Sequence, residues 1–507
     1  MTELWLGVDV GTTAIKAAAY DSRGRIAALA ERATEVMRPA PGFAEQDMDA
    51  VWLGVAACLR DLTEKCAGRR FHSLGLCGQG DGFWPIGEDG RPTHNAMLWN
   101  DTRAAADVEA LIASGAADAV GHGCHTSLWA GTAAQLWRWL RANAPQAAAR
   151  TAHVVTCADW VGLRLTGALA TDRSNGSIPF TDFSTGDYGA AVAALDCADL
   201  APRLVGPRRA TELLGGLTAQ AAGQTGLPEG LPVSVGTLDL AAMIVGMGLD
   251  RAGQAMMIMG TTAVVNILTA RVTPQALPVG ASVLHPTSDT IIRVLAPTTG
   301  AAAFDWFASL VSPTGSGADR GAIAELGALV ASGRPGANGV TFLPYLNGER
   351  APFVAADLRA TFHGMSSSTT RADLARAVME GTALSLRHCC EEEGGLTAAP
   401  VQLTGGGSRS EAWCQIIADV VGQPVVTNAA FDQGLWGAAC FGAAATGAGD
   451  PILLAAREET SRLYEPDPAR AREYDAVWRR YETLSRGMRA LHDELKSLWN
   501  SVSESNR

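Results

Sequence analysis

Leu4-Trp-Leu-Gly-Val-Asp-Val10-Gly11-Thr12-Thr13-Ala14 and Ala255-Met-Met-Ile-Met259-Gly260-Thr261-Thr262-Ala263 follow one pattern. Each is an apolar run, a Gly-Thr-Thr turn and a second apolar run, Ala14 to Tyr20 after the first copy and Ala263 to Thr269 after the second. That pattern predicts strand, turn, strand. The copies lie about half a chain apart, so the repeat points to a duplicated domain. Glycine allows backbone amides to come close to a ligand, and two threonines add hydroxyls. A hairpin turn of this kind forms a small anion-binding concavity. One turn reads equally well as an ordinary hairpin; two turns from two domains could grip a polyphosphate from both sides.

Working outward, short apolar runs alternate with helical periodicity. Strands are expected at Ser73 to Cys77, Val154 to Thr156, Pro232 to Val235, Ile291 to Leu295, Gly339 to Leu343 and Val401 to Leu403. Helices are expected at Ala372 to Cys389 and Glu411 to Val421. Such alternation argues for α/β layering. Gly-rich residues 246 to 254 suggest a boundary, giving domains at 1–248 and 249–450, with 451–507 as a connector and a terminal helix. Tyr474, Val477, Tyr481, Leu484, Met488, Leu491, Leu495 and Leu498 recur every three or four residues, as an amphipathic helix packed on the body requires.

Composition narrows the function. At 507 residues the chain exceeds one core. It has no long uncharged apolar run and no basic, apolar leader pattern, so a cytoplasmic protein without a membrane partner is expected. The net charge of −12 argues against a nucleic-acid partner. The ten cysteines contain no Cys-x-x-Cys and read as reduced core residues. His122 and His125, with Cys124 between them, do not make a zinc pattern.

Neither a P-loop nor a dinucleotide fingerprint is present. What remains is a set of carboxylates and Gly-rich turns at strand ends. Asp9 stands just before the first turn, where a carboxylate beside phosphate needs a cation such as Mg²⁺ or else only stabilises the turn. Asp239 follows the strand at Pro232 to Val235 and opens an apolar helical stretch. It is either a general base for a substrate hydroxyl or a helix N-cap, and position alone does not separate these. Gly405-Gly406-Gly407-Ser408-Arg409-Ser410 lies between a strand and a helix, with room for a flat ring or a phosphate.

Taken together, the motifs resemble the FGGY carbohydrate kinases of the actin-like ATPase superfamily. They are Leu6-Gly-Val-Asp-Val-Gly-Thr-Thr13, Gly78-Gln79, Trp99-Asn-Asp-Thr-Arg103, Thr171-Asp-Arg-Ser-Asn175, Gly260-Thr-Thr262, Tyr345-Leu-Asn-Gly-Glu-Arg-Ala-Pro352 and Leu403-Thr-Gly-Gly-Gly-Ser408. The resemblance covers roughly residues 4 to 445. It implies two ribonuclease-H-like domains with a central cleft closing over a sugar and MgATP. By its match, Asp239 is the catalytic base, and Asp9 together with Asp239 is associated with the metal. Thr12, Thr13, Lys16, Gly260 and Thr261 meet the ATP phosphates. Gly300 lies near the nucleotide, and Gly406 and Ser410 near the adenosine. Gln79, Gly80 and Asp81 form the substrate loop, with Trp129 as an apolar wall. The acceptor is then a small polyol or ketose, and a homodimer stays open.

The substrate loop departs from two branches of the family. D-xylulose kinases carry Gln-Met-His-Gly and glycerol kinases Gln-Arg-Glu where this chain has Gln79-Gly80-Asp81-Gly82. Asp239-Leu240 replaces the usual Asp-Gln. This loop and Ser127-Leu-Trp-Ala-Gly131 look more like the erythritol and L-xylulose kinases, with erythritol favoured as substrate and L-xylulose or another pentulose as alternative. An actin-like ATPase that hydrolyses ATP without an acceptor shares the twin turns but has no need of the substrate loop. A non-catalytic sugar sensor has no need of Asp9 and Asp239.

Overall fold

The computed structural model describes residues 3–311, 320–331, 333–398, 400–428, 432–456 and 461–505. It divides into two compact units. The first comprises Met1–Arg251, Thr269–Ile292 and Ala430–Glu459; the second comprises Ala252–Leu268, Arg293–Ala429 and Thr460–Arg507.

In the first unit, β1 (Glu3–Val10) turns through Gly11-Thr-Thr into antiparallel β2 (Ala14–Tyr20), and β3 (Ile26–Ala33) adds to its edge. β4 (Arg70–Gly78) lies parallel to β1 on the other side. β5 (Leu213–Gly216) and β6 (Pro232–Ser234) complete the order β5-β6-β4-β1-β2-β3, and β7 (Thr237–Leu238) pairs with the end of β4. Leu4, Leu6, Val8 and Val10 alternate along β1 as a strand's buried face requires, and all four are fully buried. They join Leu74 and Leu76 of β4, and Trp52 and Leu59 of α1 (Met48–Lys65). The Asp47 side chain caps α1 by accepting from Ala50 N. Trp160 of α2 (Cys157–Thr166) completes this cluster.

The sheet also carries a helix from far along the chain, Gln433–Ala445. Gly7 and Gly75 are required beneath it: a Cβ would lie 2.1 Å from Leu435 O at Gly7 and 1.8 Å from Ala438 O at Gly75. On its other side Gly437 meets the helix α3 (Asp239–Gly246), where a Cβ would lie 2.0 Å from Ala242 O.

The second unit repeats the same plan. β8 (Ala255–Met259) turns through Gly260-Thr-Thr into antiparallel β9 (Ala263–Thr269), which neighbours β10 (Ile291–Leu295). After α4 (Arg371–Glu392), β11 (Val401–Thr404) lies parallel to β8 as β4 lies parallel to β1. α5 (Glu411–Val421), β12 (Val425–Asn428) and β13 (Ser461–Tyr464) follow. Within this unit the order is β10-β9-β8-β11-β12-β13. The duplication therefore extends beyond the two turns to the parallel strand beside each hairpin.

The terminal helix α6 runs Pro468–Ser505. Tyr474 and Tyr481 are fully buried, but Leu491 and Leu495 are exposed at 44% and 54%, so the apolar stripe continues past the surface it covers. The Leu498 side chain lies outside the described residues. All ten cysteines are buried and none forms a disulfide. His122 Nδ1 bonds the Asp118 carbonyl, and no metal-holding cluster of His, Cys, Asp or Glu occurs among the described residues. Among them, too, no helix is long and apolar enough to cross a membrane.

Candidate active site

The parallel ladder of β1 and β4 puts Asp9 opposite Cys77, while the hairpin puts it opposite Lys16. β7, paired to the end of β4, delivers Asp239 as the first residue of α3. Leu238, not Asp239, is the N-cap residue of this helix, and Asp239 Oδ1 accepts from Leu240 N at 2.6 Å. Asp81 follows β4 in the left-handed region, with φ +56°. Strand ends thus bring three carboxylates into one region of the first unit.

Their electrostatics follow from that placement. Burial pushes the Asp239 carboxyl up to about 7, helped by the charge of Asp9 and opposed by the Leu240 amide. Burial likewise raises Asp81 to about 7, with repulsion from Asp239 adding to it. Asp9 rises to about 6, again mainly through burial; Lys16 and the Cys77 thiol pull it down and Asp432 pushes it up. All three residues are only partly buried, although protein removes most of the water that would stabilise their charge. Asp239 is thereby a carboxylate whose proton affinity is matched to neutral pH, as general-base work requires. The nearby Cys77 and Cys157 thiols are pushed well above their ordinary value by burial, so they remain protonated.

The loop at 79–82 is tied to the first turn by a hydrogen-bond chain. Gln79 N donates to Val10 O at 2.9 Å. Thr12 Oγ1 donates to Gln79 Oε1 at 2.7 Å and accepts from Trp99 Nε1 at 3.0 Å. Gln79 Nε2 donates to Gln46 Oε1 at 2.7 Å, and Gln46 Nε2 donates back to Thr12 O at 3.1 Å. The Thr12 hydroxyl proton is therefore committed to Gln79, whereas Thr13 is exposed. Lys16 Nζ lies 3.2 Å from Asp432 Oδ1. Trp129 sits two residues from Gly131, whose carbonyl accepts from Gly82 N of the loop at 3.0 Å.

Sequence reasoning missed Gln46 and gave Trp99 no role of its own. Gln46 stands just before the Asp47 cap and is fully buried, and a buried amide that joins two loops leaves no local signature. The Thr171–Asn175 motif acts by positioning. Asp172 Oδ2 accepts from Thr237 Oγ1 at 2.8 Å, and Ser174 Oγ accepts from Leu238 N at 3.2 Å. These bonds hold the strand that presents Asp239.

In the second unit, parallel β8 and β11 bring the Gly-Thr-Thr turn and the Gly-rich loop side by side. A Cβ on Gly405 would lie 2.7 Å from Met259 O, and on Gly407 2.3 Å from Met259 Cγ, whereas Gly406 faces open space. Gly300 N donates to Thr261 O at 2.9 Å and Ala301 N to Gly260 O at 2.7 Å. A side chain at Gly300 would strike this turn, its Cβ lying 2.5 Å from the Thr262 carbonyl carbon. Ser410 is the N-cap of α5, accepting from Trp413 N at 3.4 Å. Glu349 of the Tyr345–Pro352 motif accepts from Thr298 N at 2.7 Å, which fastens the segment leading to Gly300. Gly260, Thr261, Gly300 and Gly406 thus share one neighbourhood of this unit, with Ser410 just beyond it on α5.

Residues 4–246 match the N-terminal domain, and residues 255–446 the C-terminal domain, of the FGGY family of carbohydrate kinases. The chain belongs to that family. It is an enzyme, a carbohydrate kinase, and its fold is that of the family's two-domain α/β structures. The erythritol kinase of Brucella abortus is 31% identical, with 98% of each chain covered. The L-xylulose/3-keto-L-gulonate kinase of Escherichia coli is 28% identical, covering 98% of this chain and 99% of its own. The crystal structure of xylulose kinase from Rhodospirillum rubrum superposes with a TM-score of 0.88 at 28% identity, covering 96% of this chain and 99% of that one.

Proposed function

We propose that the enzyme transfers the γ-phosphoryl group of ATP to a hydroxyl of a short polyol or ketose, with erythritol the first choice. The observation that carries this reading is Asp239, held at the start of α3 with its carboxyl raised to about 7, beside Asp81 on the substrate loop. Asp239 takes the proton of the acceptor hydroxyl, whose oxygen attacks the γ-phosphorus; the bond to the β,γ-bridging oxygen breaks and ADP leaves. Asp81 accepts hydrogen bonds from neighbouring acceptor hydroxyls, with Gln79 and Gly80 shaping the loop and Trp129 as an apolar wall. Thr12, Thr13, Lys16, Gly260 and Thr261 are assigned to the phosphates, and Gly300, Gly406 and Ser410 to the nucleoside side.

Mg²⁺ belongs to the same proposal. The residues fit it: Asp9 Oδ1 is buried without a hydrogen-bond partner among the described residues, which suits a hard cation that takes only one or two protein carboxylates. Asp9 would hold the ion, with Asp239 near it, and the ion would supply charge neutralisation at the phosphates. Along the chain, the division at 1–248, 249–450 and 451–507 is proposed as acceptor and first-loop domain, nucleotide domain, and connector with terminal helix, with 269–292 and 430–459 packing in the first unit. A cytoplasmic location completes the reading.

Similarity to the E. coli kinase supports L-xylulose as the second substrate to test. The experiment is mass analysis of the product formed from ATP with erythritol, L-xylulose, D-xylulose, glycerol and a hexitol. A phosphate ester of erythritol formed fastest supports the assignment. Strong preference for glycerol or a six-carbon acceptor overturns the substrate and leaves the kinase reading standing.

A further inference from the structure

Gly80 and Leu238 occupy one space. A Cβ on Gly80 would lie 1.8 Å from Leu238 Cδ1 and 3.3 Å from Leu238 Cγ, so the Leu238 side chain fills the room that any side chain at position 80 would take. Leu238 is only 7% exposed. Its backbone is pinned by β4, pairing with Gly78, and by the bond to Ser174 Oγ, so it does not yield by moving the strand. It directly precedes Asp239 and reaches the residue that directly precedes Asp81. The two carboxylates are near enough that Asp239 repels the charge of Asp81. An isobutyl group therefore stands beside the residues proposed to bind and activate the acceptor.

We infer that Leu238 is a specificity-determining residue, which limits the length of the acceptor by filling the space above Gly80. This rests on the proposed function of the same site. A hydroxyl pressed against this aliphatic group finds no partner, and an unpaired buried hydroxyl is costly. Each extra carbon that carries a hydroxyl meets both the bulk and the lost hydrogen bond. A short acceptor whose hydroxyls reach Asp81 and Asp239 avoids both. The bare position 80 and the bulky position 238 act as a pair: shortening Leu238 lengthens the acceptor that fits, and adding a side chain at Gly80 forces the Leu238 methyl to turn aside unless Leu238 is shortened as well.

The test is kcat/KM for four-, five- and six-carbon acceptors in the full-length enzyme with Leu238→Ala, Gly80→Ala and the double variant. Leu238→Val, smaller by one methylene, guards against loss of the fold, with melting temperature and KM for ATP as controls. Removing about one methylene of pocket bulk shifts discrimination roughly 10- to 200-fold. Leu238→Ala is expected to raise the six-carbon to four-carbon ratio by at least about 10-fold, and Leu238→Val to move it less in the same direction. KM for ATP should stay within about twofold. Gly80→Ala should lower kcat/KM for the acceptor and the double variant should regain a substantial part of it. An unchanged ratio in both Leu238 variants, or a fully active Gly80→Ala enzyme, overturns the inference. Wild-type enzyme that phosphorylates none of the acceptors overturns the proposed function itself, a result distinct from either.

Discussion

Replacing Asp81 by Asn removes one charge and little else. Asn accepts the left-handed backbone that Asp81 adopts at φ +56°, so the loop need not reshape. In the folded protein the Asp81 carboxyl is raised from 3.8 to about 7 by burial and by repulsion from Asp239. A raised carboxyl means that the folded state binds the proton more tightly than the unfolded state does. The ionised form is therefore a liability to folding, complete above pH ~7 and gone below pH ~4. A rise from 3.8 to about 7 corresponds to roughly 4 kcal/mol at pH 8 and under about 2 kcal/mol at pH 5. Asp81 keeps some exposed surface, and solvent screening brings the pH 8 figure nearer to about 2 kcal/mol. Asp81→Asn should accordingly melt about 4–8 °C higher than wild type at pH 8 in calorimetry, at 2–4 °C per kcal/mol for a large domain. At pH 5 the gain should shrink to less than half. The same variant should lose kcat/KM for the acceptor far more than it raises KM for ATP. A melting temperature that falls at pH 8, or a gain independent of pH, would refute the reasoning and leave Asp81 as a turn-stabilising residue.

Other consequences follow from the same geometry. Because Asp239 must be deprotonated to accept a proton, kcat/KM for the acceptor should fall as pH drops through about 7, and a profile flat from pH 8 to 5 would contradict the raised carboxyl. Gly300→Ala should weaken nucleotide binding at least about 10-fold in a titration with ADP, since its Cβ strikes backbone atoms of the second turn, which have no flexible end to move aside. Thr12→Val, which deletes the hydroxyl between Gln79 and Trp99, should impair acceptor and ATP kinetics together, because it unties the loop assigned to one from the turn assigned to the other. An effect on ATP alone would confine Thr12 to the phosphate side.

Much of this was legible in the sequence, for local reasons. Strand, Gly-Thr-Thr and strand are carried by adjacent residues, so both hairpins appear where expected, Ala255–Met259 and Ala263–Thr269 to the residue. Glu411–Val421 likewise agrees at both ends, because Ser410 before it and Gly422 after it are local stop and start signals. The packing of the helix Gln433–Ala445 on the first unit was not legible. Its small residues show little contrast between faces, and its partners Gly7 and Gly75 lie several hundred residues away. The bond chain through Gln46 is equally silent in the sequence, since its members come from four separate segments. That Leu238 fills the room beside Gly80 is likewise silent in the sequence, because a glycine marks room without saying what uses it. The period of the terminal helix continues through Leu491 and Leu495 because periodicity reports a face and not what covers it.

The mechanism rests on Asp239 as the base of an acceptor-dependent kinase. Acceptor-dependent ADP release by Asp239→Asn, measured beside wild type and beside ADP binding in the same preparation, tests it. Asparagine keeps the shape of the side chain but cannot take the hydroxyl proton. Turnover should fall by roughly 10²- to 10⁴-fold, the usual range for a lost general base, with nucleotide affinity little changed. Turnover within a few-fold of wild type would contradict it, as would ADP release by the wild-type enzyme that proceeds equally fast without any acceptor.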